Sequence, residues 1–451
     1  MLRRLTRSRL PALAVALALL APAGARAGND DGVLLGNEAA MSAGAVTAIV
    51  NDGSATWYNP AGIAAVDRDT LDLSGSATML RIADTPALLQ SAATGATANG
   101  GYYEFLGIPS AVTLVRRLDR TTAFSLGIFV PQLTGHTDRV SLAEVVDRPA
   151  PDPDYASRWQ LTQQESSSTY YGGLTLGIAL LPNVRVGFTL FGTYRSAAFS
   201  TQFAGGVTVD DAPFEAIGLM SMETLQSVSL EIGAGLQWDI MPGLTLGLAA
   251  RTPGLMVGSL YRLTTTTIAS DPDGLVFAPT DEGMLRPQLA VVTPARVRLG
   301  IAYRWAEGWV GIEGDFQHEL RSPEVGIDRE WVGGVRVGGR YWVDPQISIG
   351  AGLFTDLDAT RTITGYGDTQ LDFFGGTFGV EVRNPHRLGE GENASDIVFV
   401  NTFALRYAAG FGQIGGLRFS LPLGAEGAVE DVAVATQVHE ISLHLGSALY
   451  F

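Results

Sequence analysis

The stretch Ile441-Ser442-Leu443-His444-Leu445-Gly446-Ser447-Ala448-Leu449-Tyr450-Phe451 decides how the rest of the chain is to be read. Successive side chains of an extended strand point to opposite sides. Ile441, Leu443, Leu445, Leu449 and Phe451 therefore share one face, and Glu440, Ser442, His444, Gly446 and Ala448 share the other. One face is apolar throughout, while the opposite face carries a carboxylate and an imidazole. Such a strand fits lipid on one side and a wet interior on the other. It fits equally well as a half-buried strand of a soluble sandwich.

The N-terminus separates the two readings. Arg3, Arg4, Arg7 and Arg9 form a basic leader, Leu10 to Leu20 is apolar, and Ala25-Arg26-Ala27 is a small-x-small cleavage site. The apolar run is shorter than the roughly 20 residues a spanning helix needs. Residues 1–27 therefore read as a signal peptide for general secretion, with the mature chain starting at Gly28. The leader holds five of the thirty basic residues and no acid, so the mature chain has 25 against 46 acids, a formal charge of −21. That balance argues against nucleic acid as a partner. Every basic residue is Arg, and there is no cysteine, which excludes disulfides, thiol nucleophiles, thiolate metal sites and a lipid-modified Cys.

No mature segment has about 18 consecutive apolar residues, but a barrel escapes that search because half of each strand faces inward. From about residue 69 the period is two. Val228, Leu230, Ile232, Ala234, Leu236, Trp238 and Ile240 alternate with Ser229, Glu231, Gly233, Gly235, Gln237 and Asp239. Val297, Leu299, Ile301, Tyr303 and Trp305 alternate with Arg296, Arg298, Gly300, Ala302 and Arg304. Val335, Val337 and Tyr341 alternate with Arg336, Gly338, Arg340 and Trp342.

About fourteen such runs can be marked: 69–82, 109–118, 121–133, 157–181, 183–200, 224–240, 243–266, 294–306, 308–319, 331–343, 345–355, 371–383, 397–412 and 437–451. The run 157–181 is long enough to be one bent strand or two. Short turns at Leu181-Pro182-Asn183, Met241-Pro242-Gly243 and Asp344-Pro345 contrast with long polar stretches at 83–100, 141–157, 264–290, 356–370, 384–396 and 421–436. Short turns at one rim and long loops at the other define a transmembrane antiparallel β-barrel of the all-β class. Trp305, Trp309, Trp331 and Tyr341 lie near run ends, where an interfacial girdle forms. Arg185, Arg296, Arg298, Arg304, Arg336 and Arg340 fall on the inner parity with Glu231, Asp239, Glu313, Asp315 and Glu440, which implies paired, hydrated contacts lining a pore or gripping a plug.

Residues 36–66 break the two-residue period. Small residues dominate, so the backbone can pack closely against other surfaces. Asn59-Pro60 places a capping side chain before a Pro at a first helical position, and Asp52 can cap a short turn from Ser54 to Tyr58. Short helices packed compactly ahead of the first strand make residues 28–66 a hatch and residues 67–451 the barrel. Glu38 and Asp52 are the acidic groups expected to pair with lumen arginines.

Gly44-Ala45 followed by Asn51-Asp52-Gly53-Ser54-Ala55-Thr56-Trp57-Tyr58-Asn59-Pro60-Ala61-Gly62-Ile63-Ala64 resembles the N-terminal hatch of the FadL/TodX outer-membrane transporters of long-chain fatty acids and aromatic hydrocarbons. Ile108-Pro109-Ser110, Thr293-Pro294-Ala295 and the C-terminal strand carry weaker likeness, and a terminal Phe resembles the signal read by the barrel-assembly machinery. The resemblance implies a bacterial outer-membrane location, surrounding lipid and lipopolysaccharide, a hydrophobic small-molecule ligand, a monomer, and facilitated diffusion past a moving hatch. In that family an opening at a kinked strand can release the ligand sideways, and release sideways or downward stays open for this sequence. It carries over the hatch positions Asp52, Asn59, Pro60 and Gly62 and no pocket residue. The nearest capture site is the short cluster Pro86-Ala87-Leu88-Leu89.

Catalytic and metal chemistry find little footing. The histidines are His136, His318, His386, His439 and His444, with no pair at helical metal spacing. Asp152-Pro153-Asp154 and Asp271-Pro272-Asp273-Gly274 read as acidic turns, and no G-x-S-x-G elbow is present. The reading is a non-enzymatic, cofactor-free passive transporter. Its rivals are a barrel that serves as a structural or secretion partner, and an outer-membrane enzyme.

Overall fold

The computed structural model describes residues 32–451 apart from 75–76, 109, 147–154, 210–211, 272–273, 287–288, 323–326, 362, 364, 389–394 and 421–428. The signal-peptide expectation lies outside the described residues, as do the centres of both acidic turns.

Among the described residues the main sheet holds nineteen segments. Nine of them join end to end into four interrupted strands, so fourteen antiparallel rows close into a cylinder. β1 comprises Thr70–Ser74 and Ala77–Ser91, and β2 comprises Thr97–Ile108 and Ala111–Arg117. β3 to β6 are unbroken: Thr122–Val146, Tyr155–Leu181, Val184–Val209 and Ala212–Met241. β7 comprises Leu244–Arg251 and Gly254–Asp271, and β8 comprises Gly274–Arg286, Ala290–Thr293 and Arg296–Trp305. β9 to β14 are Gly308–Gln317, Val332–Trp342, Ile347–Asp356, Thr369–Leu388, Ser395–Phe419 and Val429–Tyr450. Closure is antiparallel, with Thr70 opposite Tyr450 and Leu80 opposite Ile441. An up-and-down cylinder can close antiparallel only with an even number of strands. The run 157–181 is one strand, paired along its length with both neighbours.

The period-two pattern survives intact. Ile441, Leu443 and Leu445 are exposed on the outer wall, while Glu440, Ser442, His444 and Ala448 are buried inside. Val228, Leu230 and Ile232, Leu299 and Ile301, and Val335 and Val337 likewise face out. This belt of large apolar side chains is stable only against hydrocarbon, since water would penalise each by roughly 1.5–3 kcal/mol. Each row is laddered to a neighbour on both sides, which closure makes possible.

Three expectations change. Trp309 leaves the girdle: it is buried inside, and its Nε1 donates to Glu38 Oε1 at 2.8 Å. In the stretches 83–100, 141–157, 264–290, 384–396 and 421–436 the described residues are largely strand, because pairing continues past the membrane belt. There the outer face turns polar, as in Thr264 to Thr267 opposite Asp281 to Ala278, and the lipid signature disappears although the ladder does not. Leu388 and Ser395, the ends of β12 and β13, also lie at the rim carrying the C-terminus, with the short turns, because β12 descends to it.

Inside the cylinder sit α1 (Asn37–Met41), α2 (Ala55–Tyr58) and a 3-10 turn (Pro60–Ala65). Leu35, Ala39, Met41, Val46, Val50, Ala55, Ala61 and Ile63 are fully or almost fully buried. The small residues serve close approach. A Cβ built on Gly177 of β4 would lie 2.6 Å from Ala64 N, and one on Gly352 of β11 would lie 2.6 Å from Ser42 C. Gly187, Gly235, Gly338 and Gly446 are equally blocked, by Pro60, Asn59, Ser42 and Asn37. Bare backbone on the barrel wall meets backbone of the inner segment from many directions.

Candidate functional site

The lumen has two storeys. The one nearer the C-terminal rim holds residues 32–66 and combines buried charges with an apolar cluster around Trp57, Phe129 and Phe191. Asn59 is fully buried and makes three contacts at once: its Oδ1 accepts from Ala61 N at 3.1 Å, and its Nδ2 donates to Thr47 O at 2.8 Å and Leu236 O at 3.0 Å. It thus caps the turn started by Pro60 and ties that turn both to the inner segment and to β6. Gly62 packs against the Val50 carbonyl, where any side chain would clash.

Asp52 behaves differently from expectation. Its Oδ1 accepts from Ser54 N at 2.9 Å and Ser54 Oγ at 2.5 Å, an Asx turn that precedes α2 instead of a direct cap on it. It forms no ion pair with an arginine among the described residues. Its segment lies against β1, where Asp72 Oδ2 accepts from Gly53 N at 3.0 Å and from Thr113 Oγ1 at 3.2 Å. Loss of water at this half-buried site raises the Asp52 carboxyl from 3.8 to about 6, with a further push from Glu38.

Glu38 does find its arginine. Its carboxylate pairs with Arg340, which also holds Glu381 on β12. Elsewhere the inner charges interlock as their parity implied. Arg185 meets Asp239 at 3.0 Å, Arg298 meets Asp315 at 3.3 Å, and Glu440 lies 2.7 Å from Arg81 and 2.8 Å from Arg406. Barrel side chains also grip the backbone of the inner segment. Arg304 donates to Ile49 O at 2.8 Å, Gln237 to Val50 O at 3.0 Å and Arg251 to Trp57 O at 3.1 Å, while Glu313 accepts from Thr47 N at 2.9 Å.

The opposite storey is apolar. Leu88, Leu89, Val140, Leu142, Trp159, Leu161, Phe203, Ile217, Leu219, Leu417 and Phe419 form one buried cluster drawn from β1, β3 to β6 and β13. Trp159 is stacked on Phe419 at 4.8 Å and on Phe203 at 5.8 Å, and its Nε1 donates to Ser157 Oγ at 3.1 Å. A small cavity of about 20 Å3 beside it is lined by Leu161, Phe203, Leu219, Tyr366, Leu417 and Val429 with the hydroxyl residues Thr201 and Ser221.

The Pro86-Ala87-Leu88-Leu89 cluster enters this storey through a backbone irregularity. Ala87 takes φ +55, and the register of β1 slips between Thr85 and Leu89. Regular alternation would turn one of the two leucines outward, but the bulge buries both. Trp159, Phe203 and Phe419 were not singled out from the sequence. The usable signal was parity: Tyr171 and Thr175 fix the odd positions of β4 as inner, and Trp159 and Leu161 are odd.

Together these features define a class: a transmembrane β-barrel whose own N-terminal segment fills one storey of its lumen beneath a wholly apolar outer cluster. No protein-family model matches the chain, and no curated protein matches it in sequence. The fold does match solved structures. A Pseudomonas aeruginosa FadL homologue aligns with a TM-score of 0.59 and 14% identity, covering 94% of this chain and 99% of that one. The P. putida toluene transporter TodX gives 0.58, 12%, 94% and 99%, and the Ralstonia pickettii toluene transporter TbuX gives 0.53, 14%, 94% and 99%. The chain therefore has the FadL/TodX barrel fold along nearly its whole length.

Proposed function

We propose that the protein is a passive transporter of hydrophobic molecules in the bacterial outer membrane, with residues 28–66 as its hatch. Long-chain fatty acids and aromatic hydrocarbons are the substrate classes. The observation that carries this reading is the apolar chamber inside the end of the lumen away from the C-terminus. A channel for hydrophilic solutes has no use for stacked Trp159, Phe203 and Phe419, whereas an apolar molecule leaving water gains about 25 cal/mol per Å2 there. The FadL-homologue and toluene-transporter neighbours support the same reading.

Transport then runs downhill. A ligand enters the chamber by displacing apolar side chains and meets the inner segment below. It passes when contacts such as those of Asn59 and Pro60 rearrange. No ATP site or coupling ion is required for diffusion along a gradient.

The test is uptake of labelled palmitate and labelled toluene by cells lacking the gene, with and without restoration of the intact gene, and by proteoliposomes. Gene-dependent uptake of either compound supports the proposal. Gene-independent uptake of both, together with inert proteoliposomes, defeats it.

A further inference from the structure

The tip of the β1–β2 hairpin leaves the barrel wall. Up to Asp84, β1 is paired with β14 on one side and with β2 on the other. Its last ties to β14 are at Thr436, whose hydroxyl donates to Asp84 O at 3.1 Å and lies 2.7 Å from Thr85 Oγ1. Beyond that point β14 has β13 as its only strand partner among the described residues. β1 passes it and pairs Leu89, Gln90 and Ser91 with Leu417, Arg418 and Phe419, on the edge of β13 that β12 leaves after Ile414. This is the one parallel pairing among the described residues of a sheet that is otherwise antiparallel.

The tip has a dry side and a wet side. Leu88 and Leu89 are buried in the apolar cluster of the upper storey, with Ala96 and Ala98 packed on it, while Ala92 to Gly95 are exposed. Both legs can bend at one height. Ala87 takes φ +55 where the β1 register slips, and Gly100 and Gly101 stand opposite Thr85 and Asp84 on the other leg. Ala87 N donates to Asn99 Oδ1 at 3.0 Å, which ties the legs to each other above the bend. Few polar contacts hold the tip to the barrel. Apart from the short ladder they are Arg418 Nη2 to Gln90 Oε1 at 3.2 Å, Ala92 N to Phe419 O at 2.7 Å and Thr94 Oγ1 to Glu144 Oε2 at 2.5 Å.

We propose that residues 86–99 are a hinged lid on the apolar storey. The hairpin swings on Thr85–Ala87 and Gly100–Gly101, gives up its parallel ladder, and carries Leu88 and Leu89 out of the cluster. An apolar molecule arriving from outside then takes the space the two side chains leave, and one hydrophobic contact replaces another. The lumen thus has two barriers in series, the lid above and residues 32–66 below. The motion stands on the geometry of the hairpin; its purpose rests on the transport reading.

The test locks the lid. Gln90→Cys with Arg418→Cys places two thiols on register partners in a chain that has no other cysteine, and neighbouring strands lie roughly 4.8 Å apart, within disulfide reach. Hydrogen exchange of the full-length protein in neutral detergent reads the motion. In wild type, peptides from 88–98 are expected to exchange about tenfold faster than those from 77–84, and oxidation of the double variant should remove the difference. Equal protection of the two segments in wild type overturns the lid, with no variant needed. Uptake of labelled toluene and palmitate by proteoliposomes reads the purpose. It should fall about tenfold on oxidation and return on reduction, with each single-cysteine variant unaffected. Unchanged uptake with the cross-link complete overturns the lid as an entry barrier and leaves the transporter standing. A wild type that carries neither compound defeats the transport reading, and the exchange result still decides whether the hairpin opens.

Discussion

The two storeys of the lumen are built from the same strands and obey opposite rules. Below, around residues 32–66, an apolar cluster around Trp57, Phe129 and Phe191 is crossed by directional contacts from arginines, carboxylates and amides that pin the backbone: Asn59 to Leu236, Arg304 to Ile49, Glu313 to Thr47. Above, around Trp159, contacts are apolar and interchangeable. An apolar molecule can replace side chains above at little net cost, because one hydrophobic contact resembles another. Moving the inner segment below leaves buried charges and amides without partners, each costing about 1–3 kcal/mol or more. The apolar storey is therefore adaptable, while the docking of residues 32–66 is discrete.

That contrast can be broken experimentally. The largest effect is expected from Gly177→Leu. A Cβ there already lies 2.6 Å from Ala64 N, and a full side chain displaces the 3-10 turn. Conductance in planar bilayers should rise to that of an open pore while heat-modifiable migration on gels shows the barrel intact; a closed pore would show that the hatch tolerates displacement.

Next comes Arg340→Ala, which leaves Glu38 with only Trp309 and Glu381 with only Arg383 and should weaken hatch docking by about 3 kcal/mol. Reversal at Glu38 to Arg combined with Arg340→Glu should restore part of the loss, and a double variant no tighter than the single one rejects the pairing. Asn59→Ala removes three hydrogen bonds around Pro60 and should cost about 2–3 kcal/mol in the same assay. Unchanged permeability would remove Asn59 from any gating role.

Trp159→Ala sharpens the other half of the comparison. It opens a cavity in the apolar chamber, so ligand affinity should change while the bilayer conductance set by the hatch stays closed. A leaking Trp159 variant would mean that the two storeys are coupled.

The smallest effect concerns pH. The docked Asp52 holds its proton to about 6 against 3.8 in water. Below about pH 4 the group is protonated whether docked or free. As pH rises through 4 to 6 the free form ionises first, so docking weakens, and the deficit is complete above about 6. With partial exposure it amounts to about 1 kcal/mol. Labelling of a cysteine introduced by Ala48→Cys, in a chain with no native cysteine, should quicken over this range. Asp52→Asn should flatten the profile, and an unaltered slope in Asp52→Asn would assign the effect to another group.

Much of the fold was legible because lipid imposes a strict rule. Outward positions of every row must be apolar, so Leu299, Ile301, Val335 and Val337 announce both the strand and its orientation. The inner charges followed from the same parity. Strand length was less legible: beyond the belt the outer face may be polar without disturbing the ladder, so Thr264 to Thr267 looked like a loop. Trp309 misled because aromatics near run ends suit both a girdle and an inward contact, and only its partner Glu38 separates the two.

The site divides in the same way. Asn59-Pro60 was readable, since a capping side chain and a ring-locked φ act within a few residues of each other. The outer chamber was scarcely readable, because its members are contributed one or two at a time from rows far apart in the chain, and Leu88 joins Leu89 inside only through the slip at Ala87.

The sequence by itself determined a two-faced strand repeated around a closed sheet and a small-residue segment that could not be part of it, because alternation and residue size are local properties. Tertiary structure alone decided which arginine meets which carboxylate, that Asp52 faces Asp72's strand instead of an arginine, and that aromatic residues gather above the hatch. Those outcomes depend on how fourteen rows are staggered when the cylinder closes, and stagger is a property of the whole ring.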